Sequence, residues 1–518
     1  MPSSSDPNKS SAHPAWQRLL PWVAGTLALA LYVRTAAPGL TWAHHGADGG
    51  DLIAAAMTWG VPHPSGYPTY ILLSRLYALL PLGALARRFT LFSATMAALA
   101  VSLSAIAIRH ALDEDESKLK AAWWPACLGT LGALALAASP ALWSQAVITE
   151  VYTLHIALVA ALLALATAPG EHRPAYWLVV GLVAGLGLGN HLTLALTLPG
   201  ILVLSWPRTS ARGRLAGVVG TLLGLGVYAY VPLAASHQPP VSWGDASTWP
   251  WLWWLVSGRL YHRYALAVTW GDVARRLMAA LGLWREQFGL LGVGLTLLGV
   301  WSWIEERRWR YLLGMASIWL LPLVYAVGYD TPDSMLYLLP CYLVGAIWIV
   351  SGAAWLARVA TQEFRLHVRW GLLGAILILT ALPVASVIRW SAVLDLSTDH
   401  EAEAWLEETL AALPENAALV TLQDRHTFAI WYALYAQNRR PDLLVVDGDL
   451  YAEPWYRTQI ARQAAIAPKA PDAMTALVDL LAEHRPIYAS ANRIDLARHY
   501  RLSPEGPIWR LAEQGQQP

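Results

Sequence analysis

Residues 46–70 read GADGGDLIAAAMTWGVPHPSGYPTY. Two carboxylates, Asp48 and Asp51, stand three apart among glycines, and His63 follows between two prolines. A carboxylate set in flexible backbone can take the proton from an attacking hydroxyl, and glycine lets the main chain come close to a substrate. Asp51 is equally placed to cap the helix that DLIAAAMTWG predicts, and Asp48 to be a solvated loop acid. Two such carboxylates can also hold a divalent cation, magnesium or manganese, through water. Between its prolines His63 is either a fixed substrate contact or a structural turn residue.

Further polar groups stand where apolar runs end. SPALWSQAVITEVYTLH carries Glu150, Tyr152 and His155, and GLGLGNHLT carries Asn190 and His191. One such residue reads as a satisfied interfacial group, whereas several delivered to one side of a membrane read as a site. The stretch PPVSWGDASTWPWLWWLVSGRLYHRY adds tryptophans 249, 251, 253 and 254, which suit an interfacial aromatic belt, and Arg259, His262 and Arg263, cations placed to meet a lipid phosphate. No zinc-type Cys/His spacing, phosphate-cradling Gly-Lys loop or GxSxG elbow is present, which removes nucleotide-driven and serine-hydrolase chemistry. Cys127 and Cys341 lie inside apolar runs and read as packed hydrophobes.

The elements that must position these groups are membrane helices. Charged residues make up only 14% of the chain, against roughly 25% in soluble domains, and mean hydropathy is +0.40. Apolar runs near 21–33, 89–110, 122–140, 152–168, 176–190, 192–206, 215–234, 287–304, 311–328, 335–357 and 370–390 predict about eleven spans. The first run lacks a small-residue cleavage site and is expected to stay as an uncleaved helix. Basic residues at 114–120, 171–173, 207–214, 305–310 and 358–369 fall on one side of the predicted spans, which makes that side cytoplasmic. Arg87, Arg88 and the arginines of the long 235–286 loop are the exceptions. The organisation expected is a cytoplasmic tail over 1–20, a membrane region over 21–390 with a first external loop at 38–88, and an extracytoplasmic α/β domain over 391–518. In that last stretch helix and strand patterns alternate from about residue 396. A net charge of +1 without a basic face excludes a nucleic-acid partner.

The run DGGDLIAAAMTWGVPHPSGYP, followed by LLSRLYALLPLG and ARRFTLFSATMAALA, resembles the signature of a bacterial membrane family of unknown function. That family is related to a eukaryotic transmembrane protein O-mannosyltransferase. The likeness continues through SPALWSQAVITEVYTLH, GLGLGNHLT, YVPLAA, PPVSWGD and YDTPDSMLYLLP, covering most of the membrane region. Asp48-Gly49-Gly50-Asp51 stands where the family usually shows Asp-Ser-Gly-Glu, which shortens the reach at position 51. The resemblance implies a glycosyltransferase of the C-type fold, α-helical and polytopic, that uses a polyprenyl-phosphate-linked sugar, a hexose such as mannose. The acceptor it implies is a protein or glycan hydroxyl. Such a transfer needs a carboxylate to take the acceptor's proton, which assigns Asp48 as base with Asp51 supporting it or holding a metal, and Tyr67, Trp243 and Asp245 join His63, Glu150, Tyr152, His155, Asn190, His191, Arg259 and Arg263 around the substrates.

Two rivals stand beside this reading. A transporter gathers charge at mid-span rather than at span ends, and a non-catalytic scaffold with a glycan- or partner-binding external domain uses the same acids as caps.

Overall fold

The computed structural model describes residues 15–113, 123–466 and 471–513. The polar start of the tail and the charged segment 114–120 lie outside them. Among the described residues, six helices are long and apolar enough to cross a membrane: Leu85–Leu112, Ala211–Ser236, Trp270–Glu305, Trp309–Gly328, Ser334–Gln362 and Val368–Leu394. Trp124–Ala137 and Pro140–Ala146 together are apolar and long enough for a span but are bent by 68° where Ser139-Pro140 interrupts the hydrogen-bond ladder, the geometry of a broken span or a re-entrant loop. The first run lies in the 21-residue helix Ala15–Thr35, and other apolar runs are shorter or broken. Tyr152–Ala166 and Pro174–Leu188 have 15 residues each, and the 192–206 run divides into a 3-10 turn at Leu192–Leu196 and the helix Leu198–Ser205.

Small residues set the tightest helix pairing. A Cβ at Gly181 would run into the Gly217 carbonyl, so Pro174–Leu188 and Ala211–Leu225 pack backbone to backbone, as GLVAGLGLG foreshadows. The most buried crossing helix is Ser334–Gln362, with 83% of its apolar window inside the protein, and it forms the centre of the bundle.

After Leu394 the chain builds a five-stranded sheet in the order β2-β1-β3-β5-β4. β1 (Ala418–Thr421), β2 (Leu444–Asp447) and β3 (Ile487–Ala489) are parallel and buried along their length, with helices on the crossovers. β4 (Tyr500–Glu505) and β5 (Ile508–Glu513) close the edge as an antiparallel hairpin across the Gly506-Pro507 turn.

This domain is seated on the loops that carry the acidic motif. Thr41 donates to Asp399, the Trp42 indole donates to the Arg425 carbonyl at 3.2 Å, and Gln459 donates to the Pro240 carbonyl. Gly50 lies against the Phe428 backbone so closely that a Cβ would collide with its carbonyl. Trp254, expected in an aromatic belt, instead packs 6.3 Å from Trp455 of the α/β domain, and Trp251 lies half-buried beside it. Trp249 and Trp253 remain exposed, 74% and 59%, as a belt requires.

Candidate active site

The acidic motif is presented by a tight reversal. His44 and His45 adopt left-handed backbone angles, φ 55° and 67°, and the chain then enters the helix Gly49–Thr58. Asp48 holds the N-cap position of that helix, yet its carboxylate caps nothing, which leaves it free with 39% of its side chain accessible.

Asp51, one turn in, is wholly buried and does not act as the cap. Its Oδ1 accepts from the Trp243 indole at 3.1 Å, and its Oδ2 accepts from the His63 amide at 3.0 Å and the His63 Nδ1 at 2.7 Å. Both oxygens of Asp51 are thus engaged, with three donors between them. Among the described residues no group of three or more His, Cys, Asp or Glu could hold a metal ion. In this geometry Asp51 fixes a histidine.

The far side of that histidine faces Asp48, with Nε2 3.5 Å from Oδ2. Burial opposes a charge on His63, but the Asp48 carboxylate, the Asp51 hydrogen bond and the Asp51 charge outweigh it and hold the imidazole up at about 9. With both ring nitrogens protonated, each meets a carboxylate. The Asp48 carboxyl is itself raised, first by burial and then by Asp51 and Asp333, against the lowering effect of His63.

Trp243 reaches Asp51 because its strand-like segment is pinned to the proline loop. The Val61 amide donates to the Val241 carbonyl at 2.9 Å and the Trp243 amide donates to the Val61 carbonyl at 3.1 Å. Tyr67 closes the same loop, donating to the Pro64 carbonyl at 3.0 Å and stacking on His191 at 6.0 Å. Its φ of 40° at the start of the helix Pro68–Ala78 is a strained value for a tyrosine.

These groups open onto a cavity of about 510 Å³. Asp48, His63, Tyr67, Glu150, Tyr152, His191 and Trp243 all line it, although they come from five separate stretches of the chain. Glu150 sits in the turn after Pro140–Ala146, where its Oε2 accepts from the Val151 amide at 3.0 Å and burial, then the Asp48 charge, push its carboxyl up. Asn190 and His155 stand behind the wall rather than in it. Asn190 donates to the Val151 carbonyl at 3.2 Å, steadying the Glu150 turn, and His155 lies 5.4 Å from the His191 ring. Asp245 lines no part of the cavity. Arg259 and Arg263 are exposed and also stay out of it, because the 3-10 segment Arg259–Tyr264 turns Tyr261, His262 and Tyr264 inwards.

The sequence reading missed several lining residues. Asp333 and Tyr337 belong to YDTPDSMLY, whose paired aspartates around a proline repeat the character of the first loop. Asp424 and Phe428 come from the α/β domain, whose helix Asp424–Trp431 forms one wall.

Residues 48–212 match the model of the protein O-mannosyl-transferase TMEM260 N-terminal domain, and residues 402–495 match that of the TMEM260-associated domain 2. The chain is a relative of TMEM260. It is 25% identical over 480 residues to protein O-mannosyl-transferase TMEM260 of Mus musculus, covering 85% of this chain and 65% of the mouse protein, so it spans just under two thirds of that relative's length. Two crystal structures of ArnT from Cupriavidus metallidurans share the fold at a TM-score of 0.60. The one bound to undecaprenyl phosphate is 13% identical and aligns over 97% of this chain and 99% of that one. The apo structure is 14% identical over 96% and 97%. The architecture is thus the glycosyltransferase C-type fold, and this chain is a multi-pass membrane protein.

Proposed function

We propose that this chain transfers a hexose, mannose in the first instance, from a polyprenyl-phosphate donor to an acceptor hydroxyl, of the protein Ser/Thr type, on the external face of the membrane. The observation that carries the reading is the free Asp48 carboxylate in the cavity, beside an imidazolium that the buried Asp51 holds in place. The relation to a protein O-mannosyl-transferase supports the reaction class, and the fold shared with a protein crystallised with undecaprenyl phosphate supports the donor. Basic residues in the opposite loops support an external position for the cavity and the α/β domain.

In the step proposed, the acceptor oxygen bonds to the sugar C1 while its proton passes to Asp48. The bond from C1 to the phosphate oxygen breaks, and its electron pair leaves with the lipid phosphate. The raised carboxyl of Asp48 is a stronger base, once ionised, than an ordinary aspartate, and His63 keeps the carboxylate oriented. No lysine or arginine lines the cavity among the described residues, so histidines 45 and 262 meet the departing phosphate inside, and Arg259 and Arg263 flank it on the outer surface of the 259–264 segment.

Single-turnover transfer from synthetic undecaprenyl-phosphate mannose by the purified protein tests this. Asp48→Asn is expected to slow transfer by roughly 10² or more with donor half-saturation little moved, whereas Arg259→Ala chiefly raises the donor concentration needed. Transfer by Asp48→Asn at the parental rate would move the base to Glu150. A protein whose phenotype survives Asp48→Asn without any transfer would be the scaffold instead.

A further inference from the structure

The α/β domain does more than cover the bundle. Its helix Asp424–Trp431 starts three residues past β1, the strand flanked on either side by the parallel β2 and β3. The connections from β1 to β2 and from β2 to β3 leave in opposite directions there, and in open α/β sheets ligands gather at the carboxyl ends of the strands at such a divide. That edge of the sheet is the one turned to the cavity, since Asp424 and Phe428, one turn apart, both line it.

The helix is held rigidly. Thr427 donates to Asp447 at 2.6 Å, the His426 Nδ1 lies 3.1 Å from the Ser490 hydroxyl, and the His426 ring stacks on Trp405 at 4.3 Å. Phe428 is wedged against Gly50, so the helix also abuts the one that carries Asp51. Within this frame the Asp424 carboxylate is unlike its neighbours. It is exposed to the cavity, and among the described residues it has no hydrogen-bond or ion-pair partner. A free acceptor group on a fixed element facing a polar cavity is preorganised for something that enters.

We propose that Asp424 is an acceptor-binding residue of the transferase site, taking a hydrogen bond from an N–H or O–H of a polypeptide acceptor beside the hydroxyl that reacts at Asp48. The inference rests on the function proposed above and adds to it the α/β domain as the acceptor-reading half of the site. The acceptor rather than the lipid donor is assigned because, among the described residues, no helix after Leu394 is long and apolar enough to cross a membrane. The donor's lipid therefore reaches the cavity past the bundle, and the acceptor past this domain. Burial first, and then the charges of Asp48 and Asp447, push the Asp424 carboxyl up to about 7, with His63 opposing and Asp449 adding to the rise. Ionisation above that pH turns it into a full acceptor, so peptide binding strengthens as pH rises through about 7.

The test is steady-state mannose transfer from undecaprenyl-phosphate mannose to a synthetic pool of Ser/Thr peptides. Asp424→Asn is expected to raise the peptide KM about tenfold or more, with a much smaller effect on kcat, and to flatten the dependence of peptide KM on pH near 7. Asp424→Glu, which keeps a carboxylate, is expected to recover most of the affinity. An Asp424→Asn enzyme with parental peptide KM, or one whose loss falls on kcat or on donor half-saturation, overturns the assignment while leaving the transferase reading intact. A parental protein that releases no mannose from the donor removes both.

Discussion

The charge on His63 should be visible as pH-dependent stability. The His63 side chain is 10% exposed, and its imidazole is held at about 9 in the folded protein, compared with 6.5 for a free histidine. Each tenfold change in proton affinity is worth about 1.4 kcal/mol, so roughly 3 kcal/mol of folded-state stability is tied to that proton. Because the folded value is the higher one, this contribution is fully present below about pH 6.5 and is lost as pH rises through about 9. Asp51→Asn removes one of the two carboxylates that hold the proton and turns an amide N–H towards groups that are already donors. Breaking a buried pair from one side costs about 3–5 kcal/mol. The variant should therefore be less stable at pH 6.5 and should lose less on going to about pH 9.5, while His63→Gln should lose least. Denaturant titration of the detergent-solubilised protein at the two pH values measures both effects. Asp424, up at about 7 with His63 opposing its rise, titrates in the same window, so all three proteins are compared in an Asp424→Asn background. Equal pH dependence in the parent and Asp51→Asn would show that His63 is not held charged by this pair, and the account of Asp51 as its anchor would fall.

Two further outcomes follow from the packing and the charge pattern. Gly50→Ala drives a methyl group into the Phe428 carbonyl and should loosen the α/β domain from the acidic loop at a cost of about 1–3 kcal/mol, seen as faster tryptic release of the C-terminal domain; an unchanged digestion rate would mean the contact yields freely. A cysteine placed at Ser397 should react with a membrane-impermeant maleimide on intact cells, and reaction only after permeabilisation would reverse the orientation proposed from the loop charges.

The bundle was legible because a membrane crossing has one dominant signature, a long apolar run, and the helices Trp309–Gly328, Ser334–Gln362 and Val368–Leu394 fall where those runs lie. The parallel strands were legible too, since ALVT and LLVVD are apolar stretches between helical patterns. What the pattern could not place is anything fixed by docking. Asp424 reads in sequence as an ordinary acid in the first turn of an amphipathic helix, and only the seating of Phe428 on Gly50 brings it to the cavity. Arg259 and Arg263 stand outside the cavity for a related reason. The backbone path of the Arg259–Tyr264 segment decides which of its side chains reach the cavity, a choice that a residue list does not contain.

Asp48 and Asp51 show the same limit at its sharpest. In sequence they are two like acids separated by two glycines, and their chemistry looks interchangeable. In the folded protein a tryptophan 192 residues further along, held in place by the Val61 bridge, saturates one of them together with His63 and leaves the other open. A buried carboxylate whose two oxygens accept three hydrogen bonds is a fixed charge and a poor proton shuttle. A carboxylate on the cavity wall, with one imidazolium beside it and no cap to make, is free to take a proton from whatever hydroxyl arrives. In the function proposed, the division of labour between anchor and base is imposed by Trp243 and His63, and exchanging the two roles would require moving the tryptophan rather than either aspartate.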